Sequence, residues 1–200
     1  MARPLWSPGG TRRDRAAAPM QGRNRRKTGA ADRQARRQLP SDAAAKAAGL
    51  ALVVRRVRQA DMPHIIALDA RVTGLAKPGY WRDVFERYGR RRLDERMFLV
   101  AEPVDASERM PLLGFVIGEV RAWEFGSAPC GWVFALSVEP RVRLHGTGRA
   151  LLKALSGEFS KAGVTKMRTM VARDNQLHHL FFRSEGMMAG PYIQLEKDLD

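Results

Sequence analysis

The sequence predicts an α/β (α+β) fold in which strands and helices surround one mixed central sheet. Three observations support this fold class. Short runs rich in β-branched residues, such as "LVVRR" and "FVIGEV", have the length and composition of strands. Other segments place apolar residues three and four positions apart, which is the spacing of an amphipathic helix. Stretches containing Gly and Pro separate these segments and mark the connections between them.

The first half of this domain is predicted to contain a strand, two helices and a second strand. "LALVVRRVR" has the composition of a strand. In "QADMPHIIALDARV", Ile65, Leu68 and Val72 lie at helical spacing, with Asp61 as the N-cap and Pro63 in the first turn. We expect a loop at "TGLAKPGYW", a second helix at "WRDVFERYGRRR" and a strand at "RMFLVAEPV".

The second half begins with a turn at "ASERMP" and two strands, "LLGFVIGEVRAW" and "CGWVFALSVEP". A helix follows at "TGRALLKALSGEFSKAG", where Leu151, Leu155 and Phe159 recur every four residues. "TKMRTMVA" predicts a strand, "NQLHHLFFRSEG" a helix that ends at Gly186, and "PYIQLEKDL" a last strand. The predicted order is β-α-α-β-β-β-α-β-α-β, which gives about six strands and four helices.

The positive charge of the chain is concentrated at its beginning. The whole sequence has a net charge of +14. Residues 1–48 contain twelve Lys and Arg against three acidic residues, a net charge of +9, and no sustained apolar period. Such a segment cannot bury enough surface to offset its ordering entropy. We therefore predict a disordered basic tail over 1–48 and a folded domain over 49–200.

Four interpretations of the tail remain open: a solvated segment without a specific role, a tether to nucleic acid or another acidic surface, a targeting peptide, and a translation start at Met20 or later. A tail of this charge is expected to bind polyanions weakly and without sequence preference.

Composition and spacing argue against several kinds of site. The single cysteine, Cys130, rules out an internal disulfide and is consistent with a reducing compartment, so we expect a cytoplasmic protein. No run of apolar residues is long enough for a membrane span. His178 and His179 are adjacent on a predicted helix and point about 100° apart, so they cannot chelate one ion together. His64 and His145 have no ligand partners at suitable spacing, and we predict no metal site.

The segment "RVRLHGTGRALLKAL" places two glycines between arginines immediately before a helix. Backbone N–H groups at such a turn can point into one concavity, and the helix dipole adds positive potential there. Arg141, Arg143 and Arg149 add charge suited to phosphate oxygens. The segment lacks the Lys-Ser/Thr pair of a P-loop and the third glycine of the dinucleotide fingerprint. The turn therefore favours a diphosphate ligand, although a purely structural tight turn has the same pattern.

Two motifs together make the chain resemble the GNAT superfamily of acyl-CoA-dependent N-acetyltransferases. The family has a strand ending in V-x-P, followed by Q/R-x-x-G-x-G/A at the start of a helix. Here the strand ends in Val138-Glu139-Pro140, and Arg143-Leu144-His145-Gly146-Thr147-Gly148 follows. The second family segment matches Asn175, His178, Phe181, Phe182, Gly186 and Met187 at identical spacing. The resemblance covers residues 52–199, and it implies a GNAT-like arrangement of the predicted elements.

The resemblance implies that acetyl-CoA is a co-substrate. Its pyrophosphate would bind the turn "LHGTGR", its pantetheine would pair with the edge of the strand "ALSV", and its thioester end would meet the second motif. The residues implied in binding are Leu136, Val138, Arg143, Leu144, His145, Gly146, Thr147, Gly148, Arg149, Asn175, Phe181 and Phe182.

The sequence departs from the family at the positions of the expected acid and base. Many relatives carry a tyrosine where Phe182 stands, as the acid that protonates the leaving thiolate. Several carry a glutamate near the start of the motif strand, where this chain has "CGW". The nearest carboxylates are Glu119 and Glu124, and Tyr192 is a candidate acid or substrate contact. We name Glu119 and Tyr192 as candidate catalytic residues, although a solvated or salt-bridged role is the commoner one for such a carboxylate and a half-buried strand position the commoner one for such a tyrosine.

The implied activity is direct transfer of the acetyl group to a primary amine, since no activated nucleophile is evident for a covalent acyl-enzyme. Tyr80 and Trp81 are candidates for an aromatic wall of the acceptor site. A protein α-amine, a lysine side chain and a small-molecule amine all remain open as acceptors, and the oligomeric state is open too. The alternative is an acyl-CoA-binding sensor or interaction module with weak catalysis, which the two departures motivate.

Overall fold

The structure is a computed structural model, and it describes residues 51–105 and 111–199. The predicted tail, 1–48, and most of the predicted turn at "ASERMP" lie outside the described residues. No helix of the described part of the chain is long and apolar enough to cross a bilayer.

One mixed sheet of five strands forms the centre of the domain. The strands pair in sequence order, antiparallel for the first four and parallel for the last pair. They are β1 (Leu52–Arg56), β2 (Arg96–Pro103), β3 (Gly114–Arg121), β4 (Cys130–Val138) and β5 (Met167–Thr169). The strands predicted for these segments are confirmed, although β5 is only three residues long.

The described residues contain four α-helices: α1 (Met62–Thr73) and α2 (Pro78–Val84) between β1 and β2, α3 (Thr147–Lys161) between β4 and β5, and α4 (Gln176–Ser184) after β5. A π-helical turn over Phe85–Gly89 continues α2. Short 3₁₀ turns lie at Gln59–Asp61, Glu124–Gly126 and Pro140–Val142. All four predicted helices are therefore present.

The core has one apolar cluster that includes residues of α1 and α2 and a second that includes residues of α3 and α4. Phe98, Phe115 and Ile117 of the sheet belong to the cluster that includes Ile65 and Trp81. Leu151, Leu155 and Phe159 of α3 are at most 2% exposed and belong to the other cluster, as the four-residue spacing predicts. Burial of this stripe is the main stabilising contribution of α3, because apolar area removed from water contributes about 25 cal/mol per Å².

The N-terminus of α1 differs from the expectation. Asp61 precedes the helix, but its side chain makes no hydrogen bond to the N–H groups of α1. Instead its carboxylate accepts the backbone N–H of Arg58 at 2.7 Å and two guanidinium N–H groups of Arg55 at 2.7 and 2.9 Å. Asp61 bonds Arg55 of β1 rather than the backbone N–H groups of α1, because a charged donor forms the stronger hydrogen bond.

One predicted helix boundary and one predicted strand are wrong. Helix α2 begins at Pro78, so the second half of the predicted loop "TGLAKPGYW" is helical, with proline in the first turn where its missing N–H costs nothing. The predicted last strand, "PYIQLEKDL", belongs to no strand, so the sheet has five strands and not six. Ile193, Leu195 and Leu199 of this segment are over 80% exposed. A strand-like alternation stabilises a sheet only where one face is buried, and this segment has no such face.

Candidate functional site

The pairing of β4 with both of its neighbouring strands is irregular near Val133. The register between β3 and β4 shifts at Ile117/Gly118, which pair with Ala135 and Val133, so Phe134 is the extra residue of a β-bulge. The pairing of β4 with β5 ends nearby, at Val133 and Thr169. The Thr169 hydroxyl donates to the carbonyl of Val133 at 2.8 Å and closes the ladder. Within the described part of the chain, the following residues of β4, 134–138, therefore have no strand partner on the β5 side.

The turn between β4 and α3 has an unusual backbone. Leu144 and Gly146 have φ angles of 72° and 83°, in the left-handed region, and Gly146 is the N-cap of α3. A Cβ on Gly146 would meet no atom within 4 Å, so its glycine is required by the backbone angle and not by crowding. Leu144 and His145 are exposed, and the His145 ring bonds the carbonyl of Arg143 at 3.0 Å.

Gly148 is required for a different reason. A Cβ built on it would lie 3.1 Å from Cε2 and 3.3 Å from Cζ of Phe181. The second glycine of the motif therefore lets α3 approach the aromatic ring of α4. The sequence pattern predicted that both glycines let a phosphate approach the backbone, and the structure gives Gly148 this packing role as well.

The turn is surrounded by positive charge. Arg141 and Arg143 are exposed and form no ion pair with another described residue. Arg149 is already engaged, since its Nε donates to Glu185 of the α4 end at 2.7 Å. Two of the three predicted arginines are thus free to pair with an anion.

Two buried hydroxyls near this turn have no partner among the described residues: Thr147 Oγ1, in the first turn of α3, and Ser137 Oγ of β4. Thr147 is only 1% exposed. A buried polar atom without a hydrogen bond is costly, so a polar partner for either hydroxyl would be favourable. Together with the left-handed backbone and the free arginines, they fit a ligand that combines phosphates with an amide chain.

Residues 134–138 of β4, which follow its last pair with β5, are here called the free segment of β4. A cavity of about 440 Å³ lies beside this segment. This volume lies within the range of small-molecule sites. Its walls come from the end of α1, the start of α2, strands β3 and β4, and the start of α4. The lining residues are Asp69, Val72, Thr73, Lys77, Tyr80, Trp81, Phe115, Phe134, Ala135, Leu136, Ser137 and His178.

Asp69 is the carboxylate of this cavity. Its residue is 6% exposed, and its Oδ2 accepts the indole N–H of Trp81 at 2.8 Å. The Lys77 ammonium lies 3.0 Å from the same oxygen. Lys77 also lies over the ring of Tyr80, 5.9 Å from its centroid. The cavity therefore contains a buried anion that is held by one neutral donor and one cation.

His178 is the imidazole of this cavity. Asn175, the N-cap of α4, accepts the backbone N–H of His178 through Oδ1 and bonds the ring Nδ1 through Nδ2, both at 3.1 Å. Since Nδ2 can only donate, the neutral ring accepts at Nδ1 and carries its proton on Nε2. Burial, and then the positive charge of Arg143, lower the pKa of His178, which keeps the ring neutral at pH 7.

The structure brings both predicted aromatic wall residues to the cavity. Tyr80 is half exposed, while Trp81 is 3% exposed and packs edge-to-face on Tyr80 and on Phe115. Trp81 thus lines the cavity and belongs to the apolar core at the same time.

Glu119 is not among the cavity residues. Its carboxylate accepts the Tyr88 hydroxyl at 3.1 Å and the Arg121 guanidinium at 3.0 Å, and Arg96 is 3.7 Å away. The Tyr88 ring packs on Phe134 with centroids 4.8 Å apart, and Phe134 does line the cavity. The contacts that lead from Glu119 to the cavity therefore pass through two aromatic rings, those of Tyr88 and Phe134.

The remaining predicted residues lie at several places. Tyr192 is 55% exposed, with the Arg168 guanidinium 4.7 Å from its ring centroid, and it does not line the cavity. Glu124 is an exposed residue near Arg121. Phe182 is 7% exposed within the core beside Phe181, while Leu136 lines the cavity and Val138 ends β4.

Asp69 and Lys77 are not among the site residues predicted from the sequence. A signal for Asp69 existed, because it lies four residues after Ile65 on the apolar stripe that also contains Leu68. A carboxylate on a buried stripe is a candidate functional residue. Lys77 has no such signal, since it is one of many basic residues in a connection. No group of three or more His, Cys, Asp or Glu side chains that could hold a metal occurs within 51–105 and 111–199.

Comparisons with known proteins agree with this fold. A family model described as "Acetyltransferase (GNAT) family" matches residues 63–187. No curated protein matches the chain significantly.

Among solved structures, an aminoglycoside N-acetyltransferase, AAC(6')-Iy, in complex with CoA is similar at 14% identity, with a TM-score of 0.63 over 74% of this chain and 94% of that one. AAC(6')-Ih from Acinetobacter baumannii has 14% identity and a TM-score of 0.61, over 74% and 99%. Glucosamine-6-phosphate N-acetyltransferase from Arabidopsis thaliana has 18% identity and a TM-score of 0.57, over 74% and 99%. At these identities the likeness concerns the fold.

Proposed function

The chain belongs to the GNAT family of acetyltransferases, and from that premise we propose that it transfers the acetyl group of acetyl-CoA directly to the nitrogen of a primary amine. The observation that carries this proposal is the free segment of β4. Residues 134–138 follow the last β4–β5 pair, and this segment lies between the cavity and the turn that opens α3. One extended ligand can therefore bind the turn at one end and reach the cavity at the other.

The residues present fit acetyl-CoA. The turn from Arg143 to Arg149 would hold the diphosphate through backbone N–H groups, the α3 dipole and the free guanidinium of Arg143. The backbone of the free segment of β4, including Leu136 and Val138, has no strand on its β5 side among the described residues. On that side it would bond the amides of the pantetheine chain as a neighbouring strand does. Asn175 and Phe181, at the start and middle of α4, would lie near the thioester end. The co-substrate supplies an activated acetyl group at the cavity.

The proposed reaction is a single displacement. The amine nitrogen forms a bond to the carbonyl carbon, the carbon–sulfur bond breaks, and the amine loses a proton to a base. An alkylamine with a pKa near 10 must lose this proton to be nucleophilic, whereas a thiol with a pKa near 8.5 leaves as the thiolate without strong assistance. This asymmetry explains how a chain with phenylalanine at position 182 can remain catalytic.

Glu119 remains the proposed base. It does not line the cavity, so it would act through water, and the Tyr88 hydroxyl that donates to it would be part of that path. Burial and then the charge of Glu119 raise the pKa of Tyr88, which keeps that hydroxyl protonated at neutral pH. Tyr192 remains a proposed acid or substrate contact. Protein α-amines, lysine side chains and small-molecule amines are all retained as acceptors, and a cytoplasmic location remains a prediction.

Release of free thiol from acetyl-CoA against a panel of peptides, polyamines, arylalkylamines and amino acids tests the function. We expect amine-dependent thiol release. Tight binding of acetyl-CoA without product for any amine would instead favour the acyl-CoA-binding module.

Calorimetry tests the site assignment. Arg143→Glu should weaken acetyl-CoA binding by more than ~2 kcal/mol, because it brings negative charge to the phosphates. Arg91→Glu, at an exposed position between α2 and β2, makes the same charge change as a control. Equal affinity of the two variants would contradict the assignment.

A further inference from the structure

The charged side chains that line the cavity indicate which kind of acceptor it would bind. Among the described residues that line it, Asp69 is the one carboxylate and Lys77 the one ammonium. Most of the remaining wall is apolar or aromatic, with Val72, Trp81, Phe115 and Phe134 among its members. A single buried anion among such walls provides one strong site for one cation.

Lys77 shows what this site accepts. Its Nζ is an alkylammonium, the chemical group of a primary amine, and it lies 3.0 Å from Asp69 Oδ2 and 5.9 Å from the centroid of the Tyr80 ring. Trp81 donates to the same carboxylate and fixes its position. An acceptor ammonium placed here would have the ion pair, the aromatic face and the apolar walls that Lys77 now has.

Lys77 can leave this position at low cost. It lies in the short connection between α1 and α2, and its side chain is one-third exposed. A lysine ammonium that leaves a carboxylate for water regains its hydration and its rotamer freedom. Asp69 cannot leave, because it is on a buried face of α1, and a buried carboxylate without a cation is unfavourable. The geometry thus favours an exchange of one ammonium for another.

We propose that Asp69 binds the ammonium group of the acceptor, that Lys77 fills this position until the acceptor displaces it, and that the acceptor carries one ammonium group on an apolar or aromatic body. This inference rests on the proposed acetyl transfer and adds the class of acceptor. Polycationic acceptors are disfavoured because a second ammonium would face apolar walls, with Lys77 nearby as a like charge. Asp69 is a binding residue here, which orients the amine before its proton is lost.

The binding experiment uses the indole N–H of Trp81, which reports on Asp69 without any turnover. In ¹H–¹⁵N spectra of the full chain, assigned with Trp81→Phe, phenethylamine should shift this signal saturably. Its uncharged isostere 2-phenylethanol and the aminoglycoside neamine should bind at least tenfold more weakly. Asp69→Asn should lose at least tenfold in phenethylamine affinity, since hydrogen bonds to charged groups are the stronger class. Asp83→Asn, which removes an exposed carboxylate paired with Arg87, is the matched control and should bind as the wild type does.

Lys77→Met separates this proposal from a purely structural ion pair. If Lys77 competes with the acceptor, its removal should tighten phenethylamine binding about three- to tenfold and lower KM by the same factor with kcat nearly unchanged. A structural ion pair would give unchanged or weaker binding in this variant, which overturns the proposal. It is also overturned if Asp69→Asn binds phenethylamine like the wild type, or if neamine binds more tightly than phenethylamine.

Experiments can reject the proposed acetyl transfer and the proposed ammonium site independently of each other. Binding that depends on Asp69, without thiol release for any amine, would reject the acetyl transfer and keep the ammonium site. Thiol release from acetyl-CoA that is equal in wild type and Asp69→Asn, at subsaturating amine, would keep the acetyl transfer and reject the site.

Discussion

Asp61 shows how one side chain can stabilise two elements at once. Its carboxylate joins Arg55 of β1 to the backbone of Arg58, and Glu102 of β2 accepts from the same guanidinium at 2.6 Å. The side chains of Arg55 and Asp61 are 16% and 8% exposed. An ion pair at this depth costs desolvation, so loss of Asp61 leaves Arg55 with Glu102 as its one carboxylate partner among the described residues and leaves the Arg58 N–H without its acceptor.

We therefore predict that Asp61→Asn lowers the free energy of unfolding by about 2–4 kcal/mol. Asp83→Asn, which removes an exposed pair on α2, should cost less than about 1 kcal/mol. Urea unfolding monitored by circular dichroism measures both values. Equal costs in the two variants would show that burial of the Asp61 pair contributes nothing.

The same group gives a pH dependence with a definite sign. Burial pushes the pKa of Asp61 upward, but the hydrogen bonds from Arg55 and Arg58 outweigh it and hold the pKa below its usual value of 3.8. The unfolded chain therefore binds this proton at a higher pH than the folded chain. The stability from Asp61 is present above pH 3.8 and is lost as the pH falls through the folded pKa. The stability difference between wild type and Asp61→Asn should accordingly shrink in acid, and a difference that grows in acid would contradict this assignment.

His178 is a second residue with a testable ionisation. Because burial and the charge of Arg143 lower its pKa, an NMR titration of its ring should have a midpoint below 6.5. Arg143→Gln should move the midpoint upward, toward 6.5. Between the folded pKa and 6.5 the unfolded chain binds more protons, so this group lowers stability as the pH falls below 6.5. A midpoint at or above 6.5 would mean that the ring is less buried than the structure indicates.

At the scale of elements, α3 contains two glycines in opposite situations. Gly148 faces Phe181, whose ring atoms lie 3.1 and 3.3 Å from a built Cβ, whereas a Cβ on Gly157 would meet nothing within 4 Å. We predict that Gly148→Val destabilises by about 1–3 kcal/mol through overpacking. Gly157→Ala should stabilise by about 0.5–1 kcal/mol, because alanine is the better helix former. Thermal unfolding of both variants checks the pair, and a loss of stability in Gly157→Ala would show that this face of α3 is covered.

The same helix shows how an element serves function. Its apolar stripe anchors it on the sheet, while its N-terminus follows a turn with left-handed residues at Leu144 and Gly146. The packing of Leu151 and Leu155 therefore fixes the position of the proposed diphosphate site. A binding site on the end of a well-packed helix requires little reorganisation when the ligand arrives.

At the scale of the whole molecule, the net charge of +9 on residues 1–48 separates the chain into two regions by composition. We predict that a chain starting at Gly49 keeps the melting temperature and acetyl-CoA affinity of the full chain, because the removed segment has too few apolar residues to form a core. It should lose most of its retention on a polyanionic resin. Unfolding of the shortened chain, or a tenfold loss of acetyl-CoA affinity at physiological salt, would place the domain boundary before residue 49.

The sequence was informative wherever a local pattern determines local structure. The four-residue spacing of Leu151, Leu155 and Phe159 predicted a buried helix face, and the two spaced motifs predicted the family. It was misleading at "PYIQLEKDL", where alternation predicted a strand that the sheet does not contain. The hydrogen bonds and the buried face that stabilise a strand come from other parts of the chain, so alternation alone cannot establish one.

The sequence by itself determined the fold class, the four helices and the glycine turn before α3, because periodicity and backbone preference act between near neighbours in the chain. Only the tertiary structure decided the composition of the cavity. Asp69 meets Trp81 and Lys77 across the α1–α2 connection, and Phe134 and His178 arrive from β4 and α4. Lys77 and Phe134 have ordinary local patterns, whereas Asp69 was indicated only by its place on an apolar stripe, and the chemistry of the cavity depends on burial and on charges that are distant in sequence. The physical reason is that solvation and electrostatics depend on distance in space, which the order of residues does not specify.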